Sequence, residues 1–164
     1  MEQFLIQNAQ AYASGHQLHL AERLGFGVHG IIFVAEDNSQ VGKTAVKAHR
    51  SVEPYLRERA VYDRLKAARV SEIIGFNVPQ LIRFDDHLRV IEMSIVARPF
   101  VLDFAGAYLD IPPEFSEEAW AEWEVEKREQ FEGRWPKVQD VLAALEELDI
   151  HMFDVSPSNI AFLE

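Results

Sequence analysis

Gly25-Phe26-Gly27-Val28-His29-Gly30 is a complete G-x-G-x-x-G run. Glycines at Gly25, Gly27 and Gly30 let backbone amides approach phosphate oxygens that any Cβ would hold off. A tight hairpin would use the same residues. Ile31-Ile32-Phe33-Val34 reads as a strand, so the run lies between two strands and does not open a helix, which excludes a dinucleotide-binding βαβ unit. Gly42-Lys43-Thr44 is not a P-loop either, because the earlier glycine of that motif would fall at Asp37.

Lys47 is a lone ammonium in the apolar run Thr44-Ala45-Val46-Lys47, and strand alternation puts it on one face with Ala45 and His49. Left bare at low dielectric it would deprotonate or destabilise the sheet, so it needs a carboxylate or a phosphate. Glu58 is the natural partner, because it falls in the stripe Tyr55, Tyr62, Leu65 and not on the charged back of its helix. The alternative is a Lys47 that snorkels to solvent at a strand edge, with Glu58 paired to a neighbouring arginine. The last group is Asp154-Val155-Ser156-Pro157-Ser158-Asn159, leading into Ile160-Ala161-Phe162. Its proline stiffens the loop so that both polar heads can face one cleft, where a carboxylate can accept a hydroxyl proton and an amide oxygen can bind a divalent cation. A plain turn with local Asp and Asn caps would look the same.

The elements that must position these residues are legible from period and punctuation. Residues 18–24, 29–36 and 42–49 read as three short strands separated by Gly25 to Gly30 and by Glu36-Asp37-Asn38-Ser39. After Ser51, a candidate cap, the period becomes helical and fades near Gly75. Residues 80–85 and 88–96 read as an antiparallel hairpin around Asp85-Asp86-His87. Beyond Arg98-Pro99 helix formers dominate, and Pro112-Pro113 separates a short helix from the next helical segment. Ser116 caps an acidic first turn there, with Trp120, Trp123, Lys127 and Phe131 on one side. A final helix starts at Pro136 and carries Val138, Val141, Leu142, Leu145 and Leu148 at core spacing.

The chain has 164 residues, of which 48% are apolar, enough for one core and too few for two ordinary domains. A net charge of −11, with basic residues scattered, disfavours a nucleic-acid partner. There is no cysteine, so disulfide frameworks and thiolate zinc sites are excluded, and the six histidines lack metal-binding helical spacing. With no leader pattern and no long uncharged apolar run, a cytoplasmic protein without membrane contact is expected.

In this order, the glycine run, the strand lysine, the helix glutamate and the Asp-x-x-Pro-x-Asn loop resemble the protein kinase superfamily, including its small-molecule phosphotransferase relatives. The resemblance spans residues 18 to 162. It implies an α+β, two-lobed fold: an N-lobe, 1–98, built on a five-stranded antiparallel sheet with one helix, then a shortened, mainly helical C-lobe, 99–164. It also implies that Gly25, Gly27 and Gly30 cover the phosphates of ATP and that Lys47, held by Glu58, contacts the α and β phosphates. Ile32 and Ala45 would line the adenine pocket, the backbone from Val96 to Arg98 would form the hinge, Asp154 would position or deprotonate the acceptor hydroxyl, and Asn159 would hold Mg2+. The acceptor is a protein or a small molecule, or else the chain is a pseudokinase that binds nucleotide or a protein partner without transfer. Two departures stand out. The position two residues before Asp154, usually His in the family, is Met152, and Ser156 replaces the Lys or His that distinguishes acceptor classes. The family's Asp-Phe-Gly element, whose Asp is the main magnesium ligand, is expected about a dozen residues after Asn159, and this sequence ends at Glu164.

Overall fold

The computed structural model describes residues 1–39 and 42–164. The chain opens with helix α1 (Glu2–Gly15), then strands β1 (Leu18–Phe26), β2 (Gly30–Asp37) and β3 (Lys43–His49), helix α2 (Val52–Ala67) and the two-residue strands β4 (Glu72–Ile73) and β5 (Phe76–Asn77). Strands β6 (Leu81–Asp85) and β7 (Val90–Ser94) complete the first half. The second half has β8 (Phe100–Val101), β9 (Tyr108–Leu109), α3 (Glu117–Phe131), α4 (Trp135–Glu146), β10 (Ile150–His151) and β11 (Ile160–Ala161).

The fold is α+β, organised on a five-stranded antiparallel sheet in the order β1-β2-β3-β7-β6. Alternation along β3 divides its side chains between two faces. Val46 and Ala48 join Ile31, Ala35 and Val90 against Leu5, Ala9, Tyr12 and Ala13 of α1. Ala45 faces the other way, into the main core with Tyr55, Tyr62 and Leu65 of α2, and that core continues through Val138, Val141 and Leu145 of α4.

Helix α1 corrects the expectation of a single helix in the first half. Its buried stripe is Leu5, Asn8, Ala9, Tyr12 and Ala13, in which alanines and an asparagine dilute the apolar signal that a period search needs. Asn8 is nevertheless satisfied, donating from Nδ2 to the Leu88 carbonyl at 3.0 Å.

The short helix expected before Pro112-Pro113 is also absent; the described residues there form β8, a loop and β9. Each of these strands is two residues long and is stabilised by a distant partner. Strand β8 pairs antiparallel with β11, Ile160 opposite Val101, and β9 pairs with β10, His151 opposite Tyr108. Strands β11, β8, β5 and β4 form a second, small sheet. Downstream, Ser116 Oγ accepts from the Ala119 amide at 3.1 Å as a cap, and α4 begins one residue before Pro136. The α3 stripe turns inward only in part: Lys127 and Phe131 are buried and Trp123 Nε1 donates to the Phe153 carbonyl at 3.0 Å, while Trp120 stays exposed. No helix among the described residues is long and apolar enough to cross a membrane.

Candidate functional site

Strand β3 presents Lys47 to the middle turn of α2, where Glu58 lies in the buried stripe. Lys47 Nζ is 2.7 Å from Glu58 Oε2, and the two side chains are 5% and 1% exposed. His49, two residues along the same face, brings Nε2 to 2.6 Å from the same oxygen, and the ring nitrogen Nδ1 lies 3.2 Å from the Arg89 carbonyl. Burial by itself would push the Glu58 carboxyl up. The Lys47 charge and the His49 hydrogen bond outweigh it and hold the group down at about 2. Burial likewise opposes the charge on Lys47, but its carboxylate neighbours raise its pKa above the ordinary lysine value.

A second carboxylate is there. Asp103 Oδ1 lies 3.1 Å from Lys47 Nζ, with its side chain 38% exposed toward the cleft. Asp103 adopts φ +62°, the left-handed region that Asp tolerates better than most residues. Sequence reading missed it, although Phe100-Val101-Leu102-Asp103-Phe104-Ala105 carries the sign that singled out Lys47: one charge inside an apolar run. His49 was missed as a partner of Glu58 for a different reason, since nothing local says that one carboxylate serves two bases.

The glycine run forms the turn between β1 and β2, closed by a hydrogen bond from the Gly27 amide to the Gly30 carbonyl at 2.9 Å. Its glycines divide into two kinds. A Cβ on Gly30 would sit 2.1 Å from the Ala48 carbonyl oxygen of the neighbouring strand, so packing alone forbids a side chain. Cβ atoms on Gly25 or Gly27 would meet nothing within 4 Å. At these two positions the protein's own packing leaves room for a side chain that the sequence does not use.

Opposite the hairpin, the Asp154 loop is organised by Asn159. Its Nδ2 donates to the Asp154 carbonyl at 2.6 Å and its Oδ1 accepts from the Ser156 amide at 2.7 Å. Asp154 itself projects outward, 62% exposed, with Oδ2 3.7 Å from Nε2 of His29 in the glycine turn. The loop is tied to the strand that leads to Asp103: the Leu102 amide donates to the Asn159 carbonyl at 2.7 Å.

Between these parts lies a cleft of about 580 Å³. Gly25, Gly27, Gly30, Ile32, Ala45, Lys47, Glu58, Val96 and Asn159 all line it, together with the unforeseen Asp103 and Tyr62. Apolar walls come from Met93, Phe100 and Leu102, so one region is greasy and the other charged. Asp154 does not line the cavity and stands at its rim, in reach of His29. Arg98 stands off it, with Nη1 3.1 Å from Glu164 Oε1. A smaller hollow of about 260 Å³, between Trp120, Trp135 and Phe153, contains none of these residues. The large cleft therefore offers a flat apolar ligand one end and an anionic or cation-bearing group the other. No protein-family model matches this chain, and no curated protein matches it.

Proposed function

We propose that the chain is a kinase-like, ATP-binding phosphotransferase that moves the γ-phosphoryl group to a hydroxyl of a protein or small molecule. The observation that carries this reading is the buried Lys47–Glu58 pair at 2.7 Å, lying in a cleft roofed by the glycine turn and floored by the Asn159 loop. In this reading the sheet half and the helical half act as two lobes, with Val96 in the connection between them. Adenine fits the apolar walls at Ile32, Ala45 and Met93, and the phosphates run toward Lys47 beneath the open faces of Gly25 and Gly27, where no side chain stands in the way. Glu58 keeps Lys47 charged and aimed; it does not itself touch the ligand's reacting atoms.

At the rim, Asp154 orients the acceptor hydroxyl. As the acceptor oxygen bonds to the γ-phosphorus, the bond from that phosphorus to the β–γ bridging oxygen breaks, ADP leaves, and the hydroxyl proton passes to an Asp154 oxygen and on to solvent. His29, 3.7 Å away, ties the tip of the glycine turn to that carboxylate. Mg2+ fits at Asn159: the amide is buried, its oxygen makes one hydrogen bond of the two an amide oxygen can accept, and it lines the cleft. When bound, the cation supplies positive charge to the phosphates.

A second reading, a pseudokinase that binds nucleotide and a protein partner without transfer, draws on the exposed aromatic pair Phe115 and Trp120, both packed edge-on against Phe153 beside Asp154. One experiment separates the two. Label from γ-phosphate-labelled ATP that reaches the protein or a generic hydroxyl acceptor, and disappears in Asp154→Asn while ATP still raises the melting temperature, is the expected result. Stabilisation by ATP with no transfer in the parent protein supports the second reading, and no stabilisation at all overturns both.

A further inference from the structure

We propose that Asp103 is a carboxylate ligand of the nucleotide's divalent cation, acting together with Asn159 from the adjoining loop. The inference rests on the nucleotide-binding reading above. Its grounds are topology, geometry and charge.

Strand β8 runs antiparallel to β11, with Val101 opposite Ile160. The residues just past the end of β8 therefore lie beside those just before the start of β11. Leu102 falls opposite Asn159, its amide donating to the Asn159 carbonyl at 2.7 Å, and Asp103 is the next residue, so both Asp103 and Asn159 line the cleft. Phe104 is fully buried and meets the Tyr62 ring of α2 edge-on at 5.5 Å, which anchors the turn to the helix that carries Glu58.

The side chain is aimed and only half used. Oδ1 meets Lys47, while Oδ2 has no hydrogen-bond or ion-pair partner among the described residues. The backbone that carries it is held at φ +62°, which Asp tolerates. Glu58 already neutralises Lys47. Asp103 is therefore a second carboxylate on a single ammonium at the charged end of the cleft. A polyphosphate entering there meets a surplus of like charge unless a cation sits between it and Asp103. Among the described residues no group of three or more His, Asp or Glu could hold a metal unaided. Asp103 and the Asn159 amide oxygen therefore act as two protein ligands to an ion that the phosphates complete, the arrangement Mg2+ favours.

The test is the coupling between metal and nucleotide. ATP affinity of the full chain is titrated with Mg2+ and with chelator, and Mn2+–ATP binding is followed by water-proton relaxation, which reports the ion directly. In the parent protein the metal is expected to strengthen ATP binding on the order of tenfold. In Asp103→Asn, which tolerates the same φ, metal-free ATP binding is expected to be kept or improved and the gain from metal lost, together with the relaxation enhancement. Should that variant fold poorly, Asp103→Gly suits any φ and gives the same readout. A metal gain that survives in the variant overturns the assignment. ATP binding that is equal with metal and with chelator in the parent protein overturns it and leaves the nucleotide reading standing; absence of ATP binding removes both.

Discussion

Lys47 Nζ and Glu58 Oε2 lie 2.7 Å apart with almost no solvent on either side chain. A buried pair of this kind gains its attraction at low dielectric but has given up the hydration of both ions, so its two halves depend on each other more than the fold depends on the pair. His49 on the same carboxylate oxygen, and Asp103 on the same ammonium, extend the dependence to a row of four groups running from the core to the cleft.

Lys47→Met leaves Glu58 buried with only His49, and is expected to cost about 3–5 kcal/mol of stability, the range for one orphaned partner of a buried pair. The double variant Lys47→Met, Glu58→Leu removes both charges and is expected to recover most of that loss while ATP binding stays absent. Urea unfolding gives both numbers; a single variant as stable as the parent would mean that the pair is not buried as described.

The acid limb of stability follows from Glu58. Its carboxyl is held at about 2 in the fold against an ordinary value of 4.5, so the contribution is complete above about 4.5 and is lost as pH falls toward about 2. Burial opposes the shift on Glu92 too, but its hydrogen bonds from Arg83, Tyr12 and Thr44 leave its pKa lowered, which adds to the same limb. Urea midpoints measured down this window are expected to fall steeply in the parent protein and less steeply in Glu58→Gln. Equal slopes would show that Glu58 is not the group being protonated.

The three glycines of the turn are expected to separate by assay. Gly30→Ala drives a Cβ into the Ala48 carbonyl and destabilises the sheet. Gly25→Ala and Gly27→Ala meet open space, so stability should stay within about 0.5 kcal/mol while ATP affinity falls, because the methyl takes the space beneath the turn that the phosphates need. Alanine variants at 25 and 27 that bind ATP as the parent does would contradict the phosphate-covering role.

On the far face of the sheet, Tyr12 of α1 donates its hydroxyl to Glu92 Oε2 at 2.7 Å, beside Thr44 and Arg83. Tyr12→Phe removes one bond to a buried carboxylate and is expected to cost about 1.5–3 kcal/mol, with ATP affinity unchanged because α1 packs on the face opposite the cleft. A loss of affinity equal to the loss in Lys47→Met would tie α1 to the site.

What the sequence determined by itself is local. Alternation and turn residues mark the strands of the main sheet, a 3.6-residue period marks the buried face of α2, and a solitary charge in an apolar strand calls for a partner, for which Glu58, in that face, is the natural candidate. What tertiary structure decided is non-local. Strands of two residues such as β8 and β11 carry no period, so nothing along the chain says that they pair, and without that pairing Asp103 has no visible relation to Asn159 or to Lys47. The same holds for α1, whose diluted stripe becomes a helix face only once a sheet is there to cover, and for His29, which reaches Asp154 only because the glycine turn folds over the cleft. Period and alternation are properties of neighbours in sequence; a shared carboxylate or a strand pairing across the fold costs loop-closure entropy that only the assembled core repays.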